Sequence, residues 1–342
     1  MNVVREISRQ KWSDFVYRHC DGNVFQSPDM YDVYSNTKNY EPIFLAVVGE
    51  DDELLGTLLA VIQREYCGLI GDLSARSIVW GGPLIKDTNK RAFNLILDAY
   101  NKIVAKKVVY TQIRNLWSFS DAIPLFAQHG YQYTEHLNFV IDLSVGKDKL
   151  FSNLSASKRR QIRRAREKEN VKIVMTQDEK DIVEFYKVLS TYYSMYIKKP
   201  IPPLEFFLHM VHILGQKGLI QFFFVKHDEQ IIGGIVCPIS RNFSKSTIYE
   251  LYICGSREHA GLFPSVMATW APIEWGGENE INEFNFMGAG KPNVMYGVRE
   301  FKAKFGGRLV NDGRFEKIHQ PIKLRVAKLG FRMWQLVKRS ER

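Results

Sequence analysis

The chain has 342 residues, of which 45% are hydrophobic, 13% aromatic and 25% charged. That is long for one core and comfortable for two, and the composition excludes intrinsic disorder, collagen-like repeats and a disulfide scaffold. The formal net charge of +10 is concentrated: residues 158–168 hold seven basic side chains against one acid, residues 317–342 hold eight against one, and the rest carries −3. The body is therefore not a uniformly basic nucleic-acid coat. Cys20, Cys67, Cys237 and Cys254 form no CxxC pair and no metal-like spacing, which reads as free thiols in a reducing compartment. The N-terminal stretch carries charge where a signal peptide needs its apolar core, and no run approaches the ~20 apolar residues of a spanning helix. A cytoplasmic protein is expected.

In chain order, Ile43–Val48 and Leu54–Ile62 are short apolar runs around the acidic turn EDDE, a hairpin pattern. Ser77–Ile85 reads as a strand broken at Gly81-Gly82-Pro83. Residues Asn89–Lys106 place Phe93, Ile96, Leu97, Tyr100, Ile103 and Val104 at helical spacing. A strand at Val108–Ile113, a helix over Ala122–His129 stopped by Gly130, and a strand at Asn138–Leu143 follow. The second half predicts helices at Asp181–Tyr196 and Pro203–Gly215, strands at Gln221–Lys226, Gln230–Ile239 and Thr247–Ile253, a helix at Pro264–Gly276 and a strand at Glu283–Met287. FLAVVGEDDELLGTLLAVI and FFFVKHDEQIIGGIVCPI share a strand, a polar turn and a strand carrying glycine, which points to a two-copy duplication. The expected class is α/β, with domains at residues 1–145 and 146–316 and a basic tail at 317–342.

The segment Leu154–Val171, LSASKRRQIRRAREKENV, is the most distinctive in the chain. Ser155 or Ser157 suits an N-cap, Arg159, Arg163 and Arg166 share one helical face, and Arg160 and Arg164 share its neighbour. Two readings stand: a solvated charged face, or guanidinium forks that bind phosphate or RNA. Ser155–Lys158 fits S-x-x-K, but the companion SDN and KTG motifs are missing, so capping accounts for it. His209 and His212 sit among apolar residues without an HExxH and read as packing residues, and no metal is expected. Gly288-Ala289-Gly290 lacks the third glycine of a dinucleotide fingerprint, and neither a P-loop nor a G-x-S-x-G elbow occurs. Residues Tyr296–Gly307, YGVREFKAKFGG, set Phe301 and Phe305 at i, i+4 beside Lys302 and Lys304. Either these aromatics simply fill a core, or they desolvate a lysine for work on an oxyanion or phosphate.

At these residues the chain resembles the FemABX family of non-ribosomal peptidyltransferases, built from two GNAT-type (acetyltransferase-like) domains. The matching pieces are Phe25-Gln26-Ser27-Pro28, Gly81-Gly82-Pro83, the tract KRRQIRRAREKENV, Pro202-Pro203-Leu204-Glu205-Phe206-Phe207 and GVREFKAKFGG. The resemblance implies two tandem GNAT-like domains, each a mixed sheet flanked by helices. It also implies transfer of an aminoacyl group from aminoacyl-tRNA to an amine of a peptidoglycan or envelope precursor. Lys302 would stabilise the tetrahedral oxyanion, and the amine itself would attack, so no Ser, Cys or His nucleophile is needed. Arg159, Arg160, Arg163 and Arg164 would face tRNA or pyrophosphate, with Lys304, Lys199 and Tyr296 as further substrate contacts. No cofactor would be held permanently. The acceptor would be a nucleotide- or lipid-linked sugar or peptide.

The chain also departs from that pattern. Met30 and Tyr34 stand where the peptidoglycan branch carries a tryptophan and a lysine, and Asn285 and Met287 replace the usual acid and glycine. An acyl-CoA-dependent N-acyltransferase acting on an amino sugar therefore stays as an alternative, although the pyrophosphate signature Q/R-x-x-G-x-G/A is not readable. A nucleic-acid-binding protein with inactive GNAT units is a third. The tail Ile322–Val337 mixes Leu324, Val326, Leu329, Phe331, Trp334, Leu336 and Val337 with basic residues. It suits either a helix docked on the body or a peripheral contact with the anionic inner face of a membrane. Truncation before Pro321 tests the second option by liposome sedimentation: membrane contact predicts loss of pelleting, and unchanged pelleting refutes it.

Overall fold

The computed structural model describes residues 1–65 and 68–326 and divides them into two compact units. The first comprises Met1–Asp21, Phe25–Thr134 and the chain from Gly313; the second comprises Gly22–Val24 and Glu135–Asp312. In the first unit the elements are β1 (Asn2–Val4), α1 (Arg9–Arg18), α2 (Pro28–Asn36), β2 (Tyr40–Val48), β3 (Leu54–Gln63), α3 (Gly68–Ser74), β4 (Arg76–Trp80), β5 (Leu84–Ile85), α4 (Lys90–Val104), β6 (Tyr110–Arg114), α5 (Ile123–Gln128) and β7 (Gln132–Thr134). The expected hairpin is β2–β3, and β3 is buried along nearly its whole length, which is why its sequence runs apolar instead of alternating. Asn89 accepts a hydrogen bond from Ala92 N to start α4, whose Phe93, Ile96, Leu97, Tyr100 and Val104 are buried in the core beside the sheet. Helix α4 carries the chain from β4 to β6, which pair in parallel.

The second unit contains β8 (Leu137–Asp142), α6 (Lys147–Asn153), α7 (Ala156–Arg166), β9 (Val171–Met175), α8 (Glu179–Tyr192), α9 (Leu204–Leu214), β10 (Ile220–His227), β11 (Gln230–Arg241), β12 (Ser246–Tyr249), β13 (Tyr252–Gly255), α10 (Pro264–Glu278), β14 (Glu283–Asn285), α11 (Gly297–Ala303) and β15 (Arg308–Asn311). A last strand, β16 (Arg314–Ile318), returns to the first unit and pairs with β6 and β7. Each sheet has eight strands: β1-β2-β3-β4-β6-β16-β7 with β5 on β3, and β9-β10-β11-β12-β14-β8-β15 with β13 on β11. The two orders correspond strand for strand, so the duplication read from the hairpins extends to the whole sheet.

Strand pairing also moves the divisions. Residues expected in the first domain, 135–145, belong to the second unit because β8 bonds to β14 and β15. Lys317 and Ile318, expected in a tail, lie in β16, and the tail beyond Val326 lies outside the described residues. The expected helix to Tyr196 ends at Tyr192 and continues as a wider turn over Tyr193–Ile197, closed by Lys198 at φ 54°. The strand expected over Thr247–Ile253 is two strands, β12 and β13, separated at Glu250-Leu251.

That separation is shared by both units. In the first, β3 pairs with β5 up to Thr57 and with β4 from Ala60, leaving Leu58 and Leu59 opposite a gap. The Gln26 side chain fills it: its Nε2 donates to Leu59 O at 3.0 Å and Trp80 O at 2.8 Å, and its Oε1 accepts from Leu59 N at 2.8 Å. Ser27 holds Gln26 in place by capping α2, its hydroxyl accepting from Met30 N. A Cβ on Gly82 would stand 2.7 Å from the Gln26 amide, so the two matching tetrapeptide and tripeptide motifs are halves of one contact. Removing the amide in Gln26→Ala strands buried backbone groups and is expected to cost about 2–4 kcal/mol, read as a lower urea midpoint. An unchanged midpoint would show that the amide is not what closes the gap.

Candidate functional site

In the second unit the equivalent gap lies opposite Cys237 and Pro238, between Val236↔Tyr252 and Ile239↔Ile248. Ile239 N donates to Leu219 O on the β10 side, so the nitrogen of Pro238 faces the gap, where a proline forfeits no ladder bond. Here no glutamine is required, and the chain places an ion pair instead. Glu250, between β12 and β13, accepts from Lys302 Nζ at 2.8 Å, and the two side chains are 5% and 9% exposed. Lys302 also donates to Phe286 O at 2.8 Å and Gly288 O at 2.9 Å, and its Nζ stands 5.2 Å from the centre of the Phe286 ring. All three ammonium protons are thus used. Burial raises the Glu250 carboxyl above its ordinary range despite the ammonium beside it, and its Oε2 is buried without a hydrogen bond among the described residues. Burial, and secondarily Glu250, also pushes the Cys237 thiol up.

The loop that receives Lys302 is built from the residues that departed from the family pattern. Asn285 Oδ1 accepts from Met287 N and from Asn138 Nδ2, both at 2.8 Å, and Asn138 Oδ1 accepts from Gly288 N at 2.9 Å. Asn285 thus supplies the acceptor an aspartate would supply. Met287 has φ 56°, the left-handed region where glycine is free and a side chain is strained, which explains why glycine suits this position. Tyr193, which feels the charge of Glu250, contacts Tyr252, and Tyr252 contacts Phe207. Arg257 lies 3.8 Å over the ring of Tyr196, itself against Tyr192. Burial raises the Tyr193 hydroxyl, with Tyr252 and Glu250 adding to it.

The aromatic pair Phe301 and Phe305 does not hold Lys302, as the sequence suggested. One helical step from Phe301 is about 100°, which turns Lys302 inward toward Glu250, while the i, i+4 rings share the opposite side. The lysine they hold is Lys158 of α7, 4.0 Å from the Phe301 centroid and 5.1 Å from that of Phe305. Ser155 caps α7, accepting from Lys158 N at 3.4 Å, and Ser155 N donates to Lys304 O at 2.9 Å, so α7 begins where α11 ends. Gly307 follows at φ 91°, where a Cβ would stand 2.7 Å from Val140 O.

The remaining expected residues are dispersed over the unit. Arg159 donates to Ser152 O at 2.8 Å and to Leu154 O, so it closes the end of α6. Arg163 lies 5.4 Å from the Phe151 ring centre, Arg166 pairs with Glu274, and Arg160 and Arg164 are exposed. Lys199 is exposed beyond the turn after α8, and Tyr296, 40% exposed, covers Gly290. His212 bonds Glu179 at 2.7 Å on the helix surface. Sequence reasoning missed Glu250 and Lys158. The signal for the first was Pro238 inside an otherwise continuous strand, and for the second a lysine one turn from its own serine cap.

The fold of the chain is a tandem of two GNAT-like units. The acetyltransferase (GNAT) domain model matches residues 152–303, which hold both Glu250 and Lys302. The tandem fold of the whole chain is that of FemX, whose crystal structure superposes with a TM-score of 0.71 at 16% identity over 96% of this chain and 100% of that one. The structure of L-PGS from Bacillus licheniformis gives 0.57 at 17% identity over 96% and 99%. A tandem GNAT protein from the clavulanic acid biosynthesis pathway gives 0.57 at 12% over 93% and 98%. No curated protein matches the sequence. No helix among the described residues is long and apolar enough to cross a membrane.

The buried pair makes a sharp prediction. Lys302→Ala leaves Glu250 buried without its counter-charge and is expected to cost about 3–5 kcal/mol. Glu250 already has a raised folded-state pKa, so its protonated form is favoured in the fold, and the deficit should shrink as pH falls toward the ordinary carboxylate range. Thermal denaturation between pH 5 and 8 checks both, and the double variant Glu250→Gln/Lys302→Met should recover most of the loss.

Proposed function

We propose that the chain transfers an aminoacyl group from aminoacyl-tRNA to an amine of a peptidoglycan or envelope precursor. The observation that carries this reading is the whole-chain tandem fold shared with FemX, together with a buried carboxylate–lysine pair at the strand break of the unit that matches the GNAT model. The C-terminal domain of a putative lysylphosphatidylglycerol synthetase from Agrobacterium fabrum has a similar fold.

In this reaction the acceptor nitrogen attacks the ester carbonyl, the new C–N bond forms, and the ester C–O bond breaks to release the tRNA hydroxyl. Glu250, whose Oε2 carries no hydrogen bond among the described residues and whose basicity burial raises, takes the proton from the amine and delivers it to the departing oxygen. Lys302 exchanges one of its backbone acceptors for the developing oxyanion. Arg160 and Arg164, with Arg163, contact the tRNA backbone, and Lys199 and Tyr296 contact the acceptor.

The test is transfer itself: aminoacyl-tRNA and a nucleotide- or lipid-linked muropeptide, with the product read by mass spectrometry. One added residue is expected, abolished by RNase, with Glu250→Gln lowering kcat by about 10²–10⁴ at similar KM. Product formation from an acyl-CoA and an amino sugar, indifferent to RNase, would replace this reading.

A further inference from the structure

Lys158 is 5% exposed, and its Nζ, which solvent still reaches, packs over the Phe301 and Phe305 rings with no hydrogen bond or ion pair among the described residues. The carboxylate on the neighbouring α10, Glu274, is taken by Arg166 and Lys147. Lys302, on the same short helix as the rings, is turned away to Glu250. The nearest charge felt by Lys158 is a second cation, Lys304, and burial first and Lys304 second bring the ammonium down to about 8. Faces of two phenylalanines offset about 0.5–2 kcal/mol, and they supply no acceptor for the ammonium protons. A methionine would fill the same space with no such protons to satisfy. The arrangement is a partly desolvated cation whose N–H groups meet no protein acceptor among the described residues, beside another cation, and an oxyanion between the two relieves both the missing hydrogen bonds and the repulsion.

We propose that Lys158 and Lys304 form a phosphate-binding site at the seam between α7 and α11. The site takes a phosphate of the acyl donor, which rests on the acyl-transfer reading only in that both candidate donors, an aminoacyl-tRNA end and a coenzyme A thioester, carry phosphate. Binding alone tests it, so failure of transfer and failure of the site remain distinguishable.

The probes are inorganic pyrophosphate, coenzyme A and an RNA minihelix ending in CCA, titrated against the full chain by calorimetry and, for the RNA, by fluorescence anisotropy. Lys158→Met is expected to weaken the probe that binds by tenfold or more and, for the RNA, to flatten its log K against log salt slope by about one. The same variant should melt at the wild-type temperature or a few degrees higher, because it removes a partly desolvated charge that has no acceptor. Wild-type affinity should fall as pH rises through about 8, where Lys158 loses its proton, and Lys158→Arg should bind with no such fall. Preference for the RNA or for coenzyme A identifies the source of the phosphate. Wild-type affinity and pH profile in Lys158→Met, or no binding of any probe to the wild type, overturns the proposal.

Discussion

The third strand of each sheet is longer than either neighbour on its far edge, so two short strands must share it, and a gap opens where they meet. Buried backbone groups at such a gap have no ladder partner, and leaving them unpaired costs more than a typical hydrogen bond contributes. The first unit answers with the Gln26 amide, which satisfies Leu59 and Trp80 and closes the gap. The second places Pro238, which has no N–H, at the position equivalent to Leu59, and sets Glu250 and Lys302 beside it. One constraint of strand pairing thus yields a structural plug in one copy and an ionisable pair in the other.

Around that pair the second unit is organised to hold charge in a dry interior. The Asn138–Asn285 network fixes a loop whose carbonyls take two of the three protons of Lys302, and Met287 accepts left-handed strain to keep the loop in shape. Burying ions is costly, and such a pair is weak support for stability. Burial raises the carboxyl above its ordinary range, and the ammonium is held by one carboxylate and two backbone carbonyls. Lys158, on the other face of α11, repeats the theme with aromatic rings instead of an acid.

Much of the strand and helix order was legible in residues 40–142 and 179–287, because those segments keep a clear period of burial. The helices α1, α2 and α6 and the strands β7, β9 and β15 are too short or too polar to announce themselves. Among the candidate residues, Lys302 and the arginine tract were visible as chemistry, but not their duties. Arg159 caps a helix and Arg166 pairs with Glu274, uses that a count of basic residues does not distinguish from phosphate contact.

The sequence by itself determined the two-copy α/β plan, the hairpins, the amphipathic α4 and the capped basic α7, since these follow from local periodicity and capping chemistry. It also located the +10 charge in two segments, one of which proved to contain a buried cation instead of only a solvated face. Tertiary structure alone decided which copy keeps an ionisable gap, that Phe301 and Phe305 hold Lys158 and not Lys302, and that β16 completes the sheet of the first unit. Those outcomes depend on pairings between residues far apart in the chain, and the free energy of a buried charge is set by the partners that such pairings bring to it.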